Sequence, residues 1–260
     1  YINHIMTFVK KTTIIVAGLL CLAGAAKAQD FTNSNYFTPV TGDVATPDAN
    51  GFIGRWLLLE PFDFPNGSNT VFVDSYIREK FAYFADTYMG GDYAAVPTVG
   101  KKGDVIKYKT QYEKASFRGF GAPQAPEIVK VDRKLKWHAL DSKLFNVKLM
   151  RFASDLGRDK YGLVFWAVTV IDVPEDMTVR LAVGSNSASM WWVDGEEAVI
   201  LSGDRRMVAD DGMSARMTLT KGKHVLRGAV INGPGMSDMC VRFVDEDLKP
   251  VKNFTISTTK

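Results

Sequence analysis

Cysteine and histidine are scarce in this sequence, and their scarcity excludes several kinds of site. The 260 residues contain two cysteines and three histidines. Residues 1–28 have the character of a segment that is removed on export, and beyond them only Cys240, His138 and His224 remain. An intramolecular disulfide is therefore excluded for the exported chain, and a zinc site would need distant carboxylates to complete its ligands. Cys240 lies in an apolar run and is expected to be a buried, inert thiol.

Motifs of common enzymatic chemistry are also missing. The sequence has no G-x-S-x-G nucleophile elbow, and its nearest approach, GSNS at 184–187, lies between two predicted strands instead of opening a helix. It has no glycine-rich phosphate loop and no dinucleotide fingerprint. Nothing singles out a carboxylate pair for glycoside hydrolysis. We therefore predict no catalytic residues and no metal ligands from motifs.

An excess of one charge is absent once the N-terminal segment is set aside. The formal net charge is +3, but residues 1–28 hold Lys10, Lys11 and Lys27 and no acidic residue, so 29 basic and 29 acidic residues remain from Gln29 onward. A nucleic acid is therefore not expected as a partner, and neither is an anionic membrane.

Residues 1–28 have the layout of a few upstream residues followed by a secretory signal peptide. Lys10 and Lys11 precede an apolar run from about residue 14 to residue 26, and small residues at 26 and 28 predict cleavage before Gln29. The run is too short for a membrane span. Lipid attachment through Cys21 is an alternative, which Leu20 disfavours because a small residue is expected there. The protein is thus expected to be exported, to the periplasm or the extracellular space.

The abundant signals are short strands separated by turn residues, above all between residues 179 and 244. Asp194-Gly195 stands between two apolar runs and predicts a type I′ hairpin, because both turn residues need a positive φ. In the segment GLVFWAVTVIDV at 162–173, apolar residues occupy both alternating faces, which predicts a central strand covered on both sides. We predict a mainly β fold, an antiparallel β-sandwich of the jelly-roll type.

The remaining segments complete the prediction of one domain. Residues 29–53 are rich in Thr, Asn, Pro and Gly and predict an extended, unpacked lead-in to a single sandwich domain at 54–260. Residues 54–60 (GRWLLLE) predict a buried strand that Pro61 ends. Apolar residues at helical spacing between residues 75 and 88 predict one amphipathic helix that covers the sandwich. The segment at 141–157 is compatible with a strand, a short helix or both.

Trp191 and Trp192 are the most informative aromatic residues, because sugar rings stack on flat aromatic faces. As neighbours on a strand they point to opposite faces, so one of them is expected in the core. If Trp192 is exposed, nearby polar residues can orient a hydroxylated ligand, and the candidate ligand-binding set is Trp192, Asp194, Asp204, Arg205, Arg206 and Asn232. The competing interpretation, which we favour, buries both tryptophans and makes residues 203–206 a salt-bridged turn.

Three segments resemble non-catalytic β-sandwich domains that accompany bacterial polysaccharide-degrading enzymes. They are VRLAVGSNSASMWWVDGEEAV at 179–199, MTLTKGKHVLRGAVIN at 217–232 and GPGMSDMCVRFVDE at 233–246. These domains are similar to the sugar-binding sandwich of family 2 glycoside hydrolases, in which Asn usually occupies the position of Asp194. The segments GRWLLLEPF, WHALDSKLFNVKL and YGLVFWAVTVI are similar to sequences named acetylxylan esterase. The resemblance implies a sandwich fold and, by analogy only, a sugar ligand.

The resulting hypothesis is an exported, non-catalytic accessory or carbohydrate-binding module for polysaccharide degradation, with acetylated xylan as one substrate. Its expected partners are a polysaccharide or oligosaccharide and a catalytic esterase or glycosidase domain. One alternative is an acetyl-ester hydrolase that uses His138 with Ser142 or Ser185, and another is a scaffold for other exported proteins. No cofactor is expected except a structural calcium ion, for which residues 210–211 and 245–247 offer carboxylates.

Overall fold

The computed structural model describes residues 31–63, 105–114, 127–158, 162–203, 205–232 and 236–259. The predicted signal peptide and the predicted helix at 75–88 lie outside these ranges. Within them the elements are β1 (Phe37–Pro39), β2 (Arg55–Asp63), β3 (Val105–Lys114), β4 (Glu127–Ser142), α1 (Leu149–Asp155), β5 (Leu163–Val173), β6 (Met177–Ser185), β7 (Ser189–Val193), β8 (Glu196–Leu201), β9 (Gly212–Met213), β10 (Met217–Leu219), β11 (Gly222–Asn232), β12 (Met239–Val244) and β13 (Thr255–Ser257).

The described strands pair in an antiparallel manner and form two sheets. The larger sheet has nine strands in the order β1-β4-β2-β5-β11-β7-β8, with β13 beside β5 and β3 beside β4. The smaller sheet has four strands in the order β10-β6-β12, with β9 beside β6. Short turns such as the one between β7 and β8 reverse the chain, and antiparallel pairing follows from them. The prediction of a mainly β, antiparallel sandwich is confirmed.

Strand β5 lies in the middle of the larger sheet, and its two faces contribute to two apolar cores. Leu163, Phe165 and Ile171 belong to the core between the sheets, which also contains Leu181 of β6 and Phe243 of β12. The opposite face belongs to a second apolar cluster, to which β5 contributes Val164, Trp166, Val168 and Val170. Both faces are buried, as the alternation predicts, because every second side chain of a strand points the same way.

The Asp194-Gly195 hairpin forms between β7 and β8 as predicted. Asp194 has a φ of 47° and Gly195 a φ of 89°, which are the left-handed conformations that a type I′ turn requires. Glycine adopts this conformation without steric cost, and Asp is one of the few other residues that tolerate it. Strand β7 then pairs with β11, and Gly228 stands directly opposite Trp191.

The predicted end of strand β2 at Pro61 is wrong. The strand continues to Asp63, and its register against β5 shifts between Leu59 and Phe62. A proline has no backbone N–H for the sheet, so a local irregularity of this kind accommodates it without interrupting the strand.

The segment expected to be an unpacked lead-in is part of the sandwich from Phe31 onward. Phe31 and Phe37 are both 1% exposed and lie in the core between the sheets, and β1 pairs with β4. Phe31 also stacks on Phe152 of helix α1, with ring centroids 5.4 Å apart.

The segment at 141–157 contains the end of strand β4 and the short helix α1. None of the described residues belongs to an apolar helix of membrane-spanning length.

Candidate functional site

A polar cleft, called the loop cleft below, opens where four connecting segments meet at one end of the sandwich. It has a volume of about 610 Å³ and is lined by the segment before α1, the β6–β7 turn, the β8–β9 connection and the β11–β12 connection. Its polar side chains include Asn146, Lys148, Asn186, Arg205, Arg206 and Asp238. Such loop ends are common binding positions, because a rigid scaffold of strands holds loops whose sequence can vary.

Asp238 is the centre of the hydrogen-bond network in the loop cleft. The adjacent residue, Met239, exchanges two backbone hydrogen bonds of 2.7 and 3.1 Å with Val147. This bridge brings Asn146 and Lys148 against the carboxylate of Asp238. Its Oδ2 atom accepts hydrogen bonds from Lys148 Nζ at 2.6 Å and from Asn146 Nδ2 at 3.2 Å. Asp238 is buried, and its carboxylate is tolerated here because it has a cationic partner.

The β6–β7 turn connects the two other walls of the loop cleft. Asn186 Oδ1 accepts a hydrogen bond from the Asp238 N–H at 3.1 Å, and the Asn186 N–H donates to the Asp238 carbonyl oxygen at 3.0 Å. The next residue, Ser187, has a φ of 57°, and its N–H donates to the carbonyl oxygen of Arg205 at 3.2 Å. Arg205 donates from Nη1 to Asp211 at 2.7 Å. One tight turn thus holds both Arg205 and Asp238 in place.

Gly184 allows the β8–β9 connection to lie directly on strand β6. A Cβ atom at this position would be 1.9 Å from the carbonyl oxygen of Val208 and 3.0 Å from Sγ of Cys240. No side chain fits within such a distance of a backbone atom, so the close approach requires glycine. Arg205 and Arg206 lie just before Val208, and their position in the loop cleft therefore depends on Gly184.

The thiol of Cys240 should be inert in the native protein. It is 1% exposed, and burial, reinforced by the negative charge of Asp210, raises its pKa to about 12. Only the thiolate reacts with disulfide reagents, and almost none is present at about pH 8. We expect Ellman's reagent to leave the native protein unmodified and to react with Cys240 after addition of denaturant. Rapid modification of the native protein would contradict the buried position.

The structure brings together part of the predicted ligand-binding set. Arg205 and Arg206 both line the loop cleft. The backbone of Asn232 lies at the same end of the sandwich, because the preceding residue, Ile231, donates its N–H to the carbonyl oxygen of Ala188 at 2.9 Å in the β6–β7 turn. Asp204 lies outside the described residues. Arg205 and Arg206 therefore lie in the loop cleft, and their role in binding a ligand stays a prediction.

Trp192 is not an exposed stacking surface. Its side chain is 3% exposed and stacks on Trp166, with ring centroids 6.1 Å apart and an interplanar angle of 20°. Trp191 is buried on the other face of the sheet, where its Nε1 donates to Ser189 Oγ at 2.9 Å. Both tryptophans are therefore core residues, as the competing interpretation of the pair predicted. The reason is the second apolar cluster, which covers the face that the other interpretation left to solvent.

Asp194 lies at the opposite end of β7 from the loop cleft and stabilises the hairpin. Its Oδ1 accepts a hydrogen bond from the Val225 N–H at 2.8 Å, and its Oδ2 lies 2.5 Å from Nδ1 of His224. His224 Nε2 lies 2.7 Å from the carbonyl oxygen of Thr220. The carboxylate therefore holds the β7–β8 turn against the start of β11. Asp194 does not share a site with the arginines of the loop cleft.

Sequence reasoning misses most of the residues that form the loop cleft, and it misses Phe145. Phe145 is 44% exposed and is the one exposed aromatic ring among the side chains that the structure describes. It directly precedes Asn146 and packs against Phe52, with ring centroids 5.1 Å apart. The GSNS turn is a usable signal for Asn186. No local signal joins Asn146 to Asp238, because 92 positions separate them in the chain.

The described residues do not bring together the groups that the esterase alternative requires. His138 Nε2 lies 2.9 Å from Glu60 Oε1. Ser142 Oγ donates to backbone carbonyl groups, and the buried Ser185 Oγ donates to Ser189 Oγ at 2.7 Å. Neither serine hydroxyl is hydrogen-bonded to an imidazole, so neither Ser142 nor Ser185 is paired with His138 as nucleophile and base in the described part of the chain.

The carboxylates considered for calcium have other partners. Asp210 and Asp211 form ion pairs with Arg242 and Arg205, respectively. In the segment 245–247 the carboxylates accept hydrogen bonds from backbone N–H groups or pair with basic side chains. In the part of the chain that the structure describes, no group of three or more His, Cys, Asp or Glu residues is placed to hold a metal ion.

The fold and the loop cleft define an antiparallel β-sandwich with a polar cleft among the loops at one end. Comparison with solved structures finds partial similarity to the PA14 sugar-binding domain from an RTX adhesin, with a TM-score of 0.38, 12% identity, and coverage of 78% of this chain and 96% of that chain. The PA14 domain of the antifreeze protein MpAFP has a TM-score of 0.36, 13% identity, and coverage of 84% and 96%.

A β-glucosidase from Kluyveromyces marxianus has a TM-score of 0.31 and 14% identity, covering 55% of this chain and 16% of the enzyme. No family model matches the chain, and no curated protein matches it. The resemblance to sequences named acetylxylan esterase stays a prediction.

Proposed function

We propose that this chain is a non-catalytic carbohydrate-binding module and that the loop cleft is its binding site. The observation that carries the proposal is the convergence of amide, ammonium and guanidinium groups from three of the four lining segments. Asp238 of the fourth segment holds Asn146, Lys148 and Asn186 through hydrogen bonds. Sugar hydroxyls both donate and accept hydrogen bonds, and side chains that are already held, such as Lys148 and Asn186, bind them at a smaller cost of ordering.

The loop cleft also offers apolar surface beside its polar groups. Met236 is 52% exposed and lines the cleft together with Met207. Sugar rings carry C–H groups on their faces as well as hydroxyls at their edges, so a mixed surface suits them. A volume of about 610 Å³ falls within the range of ligand pockets and has room for one or a few sugar units.

The accessory role in polysaccharide degradation is a further part of this proposal. We propose that the module is exported by its N-terminal segment and acts beside a catalytic esterase or glycosidase domain, with acetylated xylan as one substrate. The lysine-then-apolar composition of residues 1–28 and the resemblance of the strand segments support it. A second binding contact raises the effective concentration of a linked enzyme on an insoluble substrate, and that is what an accessory module supplies.

The substitution Arg206→Ala should weaken glycan binding without unfolding the protein. Arg206 is exposed and makes no hydrogen bond or ion pair in the described part of the chain, so its removal should change stability by less than about 0.5 kcal/mol. Loss of a charge-assisted hydrogen bond to the ligand should lower affinity about tenfold. The purified protein is first tested on a glycan array, and each glycan that binds is then titrated by calorimetry.

Arg216→Ala is the matched control, because Arg216 is also exposed but pairs with Glu246 at 2.9 Å and does not line the loop cleft. If the two variants bound the glycan with equal affinity, the loop cleft would not be the binding site. If the protein bound no glycan on the array, the proposal of a carbohydrate-binding module would be wrong. Hydrolysis of an acetylated chromogenic ester that His138→Ala abolishes would then favour the esterase, and copurification with another exported protein would favour the scaffold.

A further inference from the structure

We infer that the loop cleft selects sugars that carry an anionic group, such as the carboxylate of a uronic acid or a sulfate ester. This inference rests on the proposed function and specifies its ligand class. Some charges and hydrogen-bonding groups of the cleft are already used within the protein, and others remain for a ligand.

The carboxylates at the loop cleft are already paired with basic side chains. Asp238 accepts hydrogen bonds from Lys148 and Asn146 on one oxygen, and its side chain is only 7% exposed. Asp211 is paired with Arg205 at 2.7 Å. A ligand that offers mainly donors would therefore compete with Lys148 and Arg205 for carboxylates that are already charge-paired.

The donors, in contrast, are only partly used. Lys148 Nζ has three donor hydrogens, makes one side-chain hydrogen bond, to Asp238, and is part of a side chain that is 21% exposed. Arg206 has five donor hydrogens, and no described residue accepts any of them. The basic side chains of the cleft thus keep donor hydrogens that no described residue uses, which favours ligand groups that only accept.

The charges of the described lining residues lead to the same conclusion. Lys148 and Arg205 are each balanced by a carboxylate, whereas Arg206 is not balanced by any described residue. Its guanidinium has the planar fork that binds a carboxylate or sulfate through two parallel hydrogen bonds. An anionic sugar would supply the missing charge and accept from Arg206 while its hydroxyls contact the half-buried amide of Asn186.

The experiment compares polymers of the same backbone with and without the anionic group. Affinity of the full chain is measured by calorimetry for polygalacturonate and for its fully methyl-esterified form, and in parallel for dextran sulfate and dextran. We expect at least about tenfold tighter binding to one or both charged polymers than to the uncharged partner. Preference for the first pair identifies a carboxylate ligand, and preference for the second identifies a sulfate ester.

Three variants assign the preference to the loop cleft. Arg206→Gln, which keeps donors but removes the charge, should lose the preference, and Arg206→Lys should retain most of it. Arg216→Gln changes the net charge equally at another place and should have no effect. Equal losses in Arg206→Gln and Arg216→Gln would mean general charge attraction and would overturn the inference. Equal binding of charged and uncharged polymers would overturn it while leaving the proposed function intact, and binding of no glycan would overturn both.

Discussion

Gly228→Ala should destabilise the protein by about 3 kcal/mol, at the upper end of the usual cost of overpacking a core. Gly228 stands opposite Trp191 on the neighbouring strand, and the indole lies across the glycine. A Cβ atom at residue 228 would be 2.2 Å from Cζ3 of Trp191 and 2.5 and 2.6 Å from two other ring atoms.

The indole of Trp191 cannot move aside without disturbing the core between the sheets. It is fully buried, its Nε1 donates to Ser189 Oγ, and its ring meets that of Trp56 edge to face at a centroid distance of 6.2 Å. Interiors are packed so closely that one added methyl group must displace its neighbours. The free energy of unfolding, measured by urea denaturation followed by circular dichroism, should fall accordingly.

Gly54→Ala is the matched control for this prediction. A Cβ atom at residue 54 would be 3.7 Å from its nearest neighbour, the Ser142 carbonyl oxygen, which is an ordinary contact. The free energy of unfolding of Gly54→Ala should stay within about 0.5 kcal/mol of that of the parent protein. In the double variant Gly228→Ala/Trp191→Leu, the methyl group gains space, so the double variant should lose less stability than the sum of the single losses. Additive losses would contradict a direct clash between Gly228 and Trp191.

Gly184→Ala should lower glycan affinity at least about tenfold and reduce stability by about 2 kcal/mol. The added Cβ would be 1.9 Å from the Val208 carbonyl oxygen, a backbone atom that moves only if its segment moves. The segment that shifts is the one that places Arg205 and Arg206 in the loop cleft. Affinity is measured by calorimetry with the glycan identified on the array, and stability by urea denaturation.

The control for Gly184→Ala separates loss of the cleft from general destabilisation. Gly228→Ala perturbs the core away from the loop cleft, so under conditions in which it remains folded its affinity should be near that of the parent protein. If Gly184→Ala bound glycans normally while being destabilised, the arginines would not be needed in their present position. That result would contradict the assignment of the loop cleft as the binding site.

Several features of the fold were predictable because they depend on local sequence. The alternation in residues 163–173 predicts a strand with two buried faces, and the structure places the alternating residues in two separate apolar cores. Asp194-Gly195 predicts its own turn, because few residues other than glycine, asparagine and aspartate adopt a positive φ. Pro61 was misleading, since its effect on a strand depends on whether the neighbouring strand shifts register around it.

The candidate site was predictable only in part. Arg205 and Arg206 belong to a polar turn that the sequence displays, and they line the loop cleft. Trp192 is equally visible in the sequence, but its burial depends on an apolar cluster gathered from strands far apart in the chain. Asp238 carries no local sign of its role, because its partners Lys148 and Asn146 precede it by about ninety residues.

The sequence by itself determined the class of fold, the position of the hairpin between β7 and β8, and the two-faced burial of β5. These follow from backbone preferences and from a period of two, both of which act between near neighbours. Only the tertiary structure decided that both tryptophans are buried and that four distant segments form one cleft. It also decided that the backbone at Val208 lies against Gly184 and that the indole of Trp191 lies against Gly228. The physical reason is that these features depend on which surfaces contact each other when the two sheets pack. Such contacts are made between residues that are far apart in the chain.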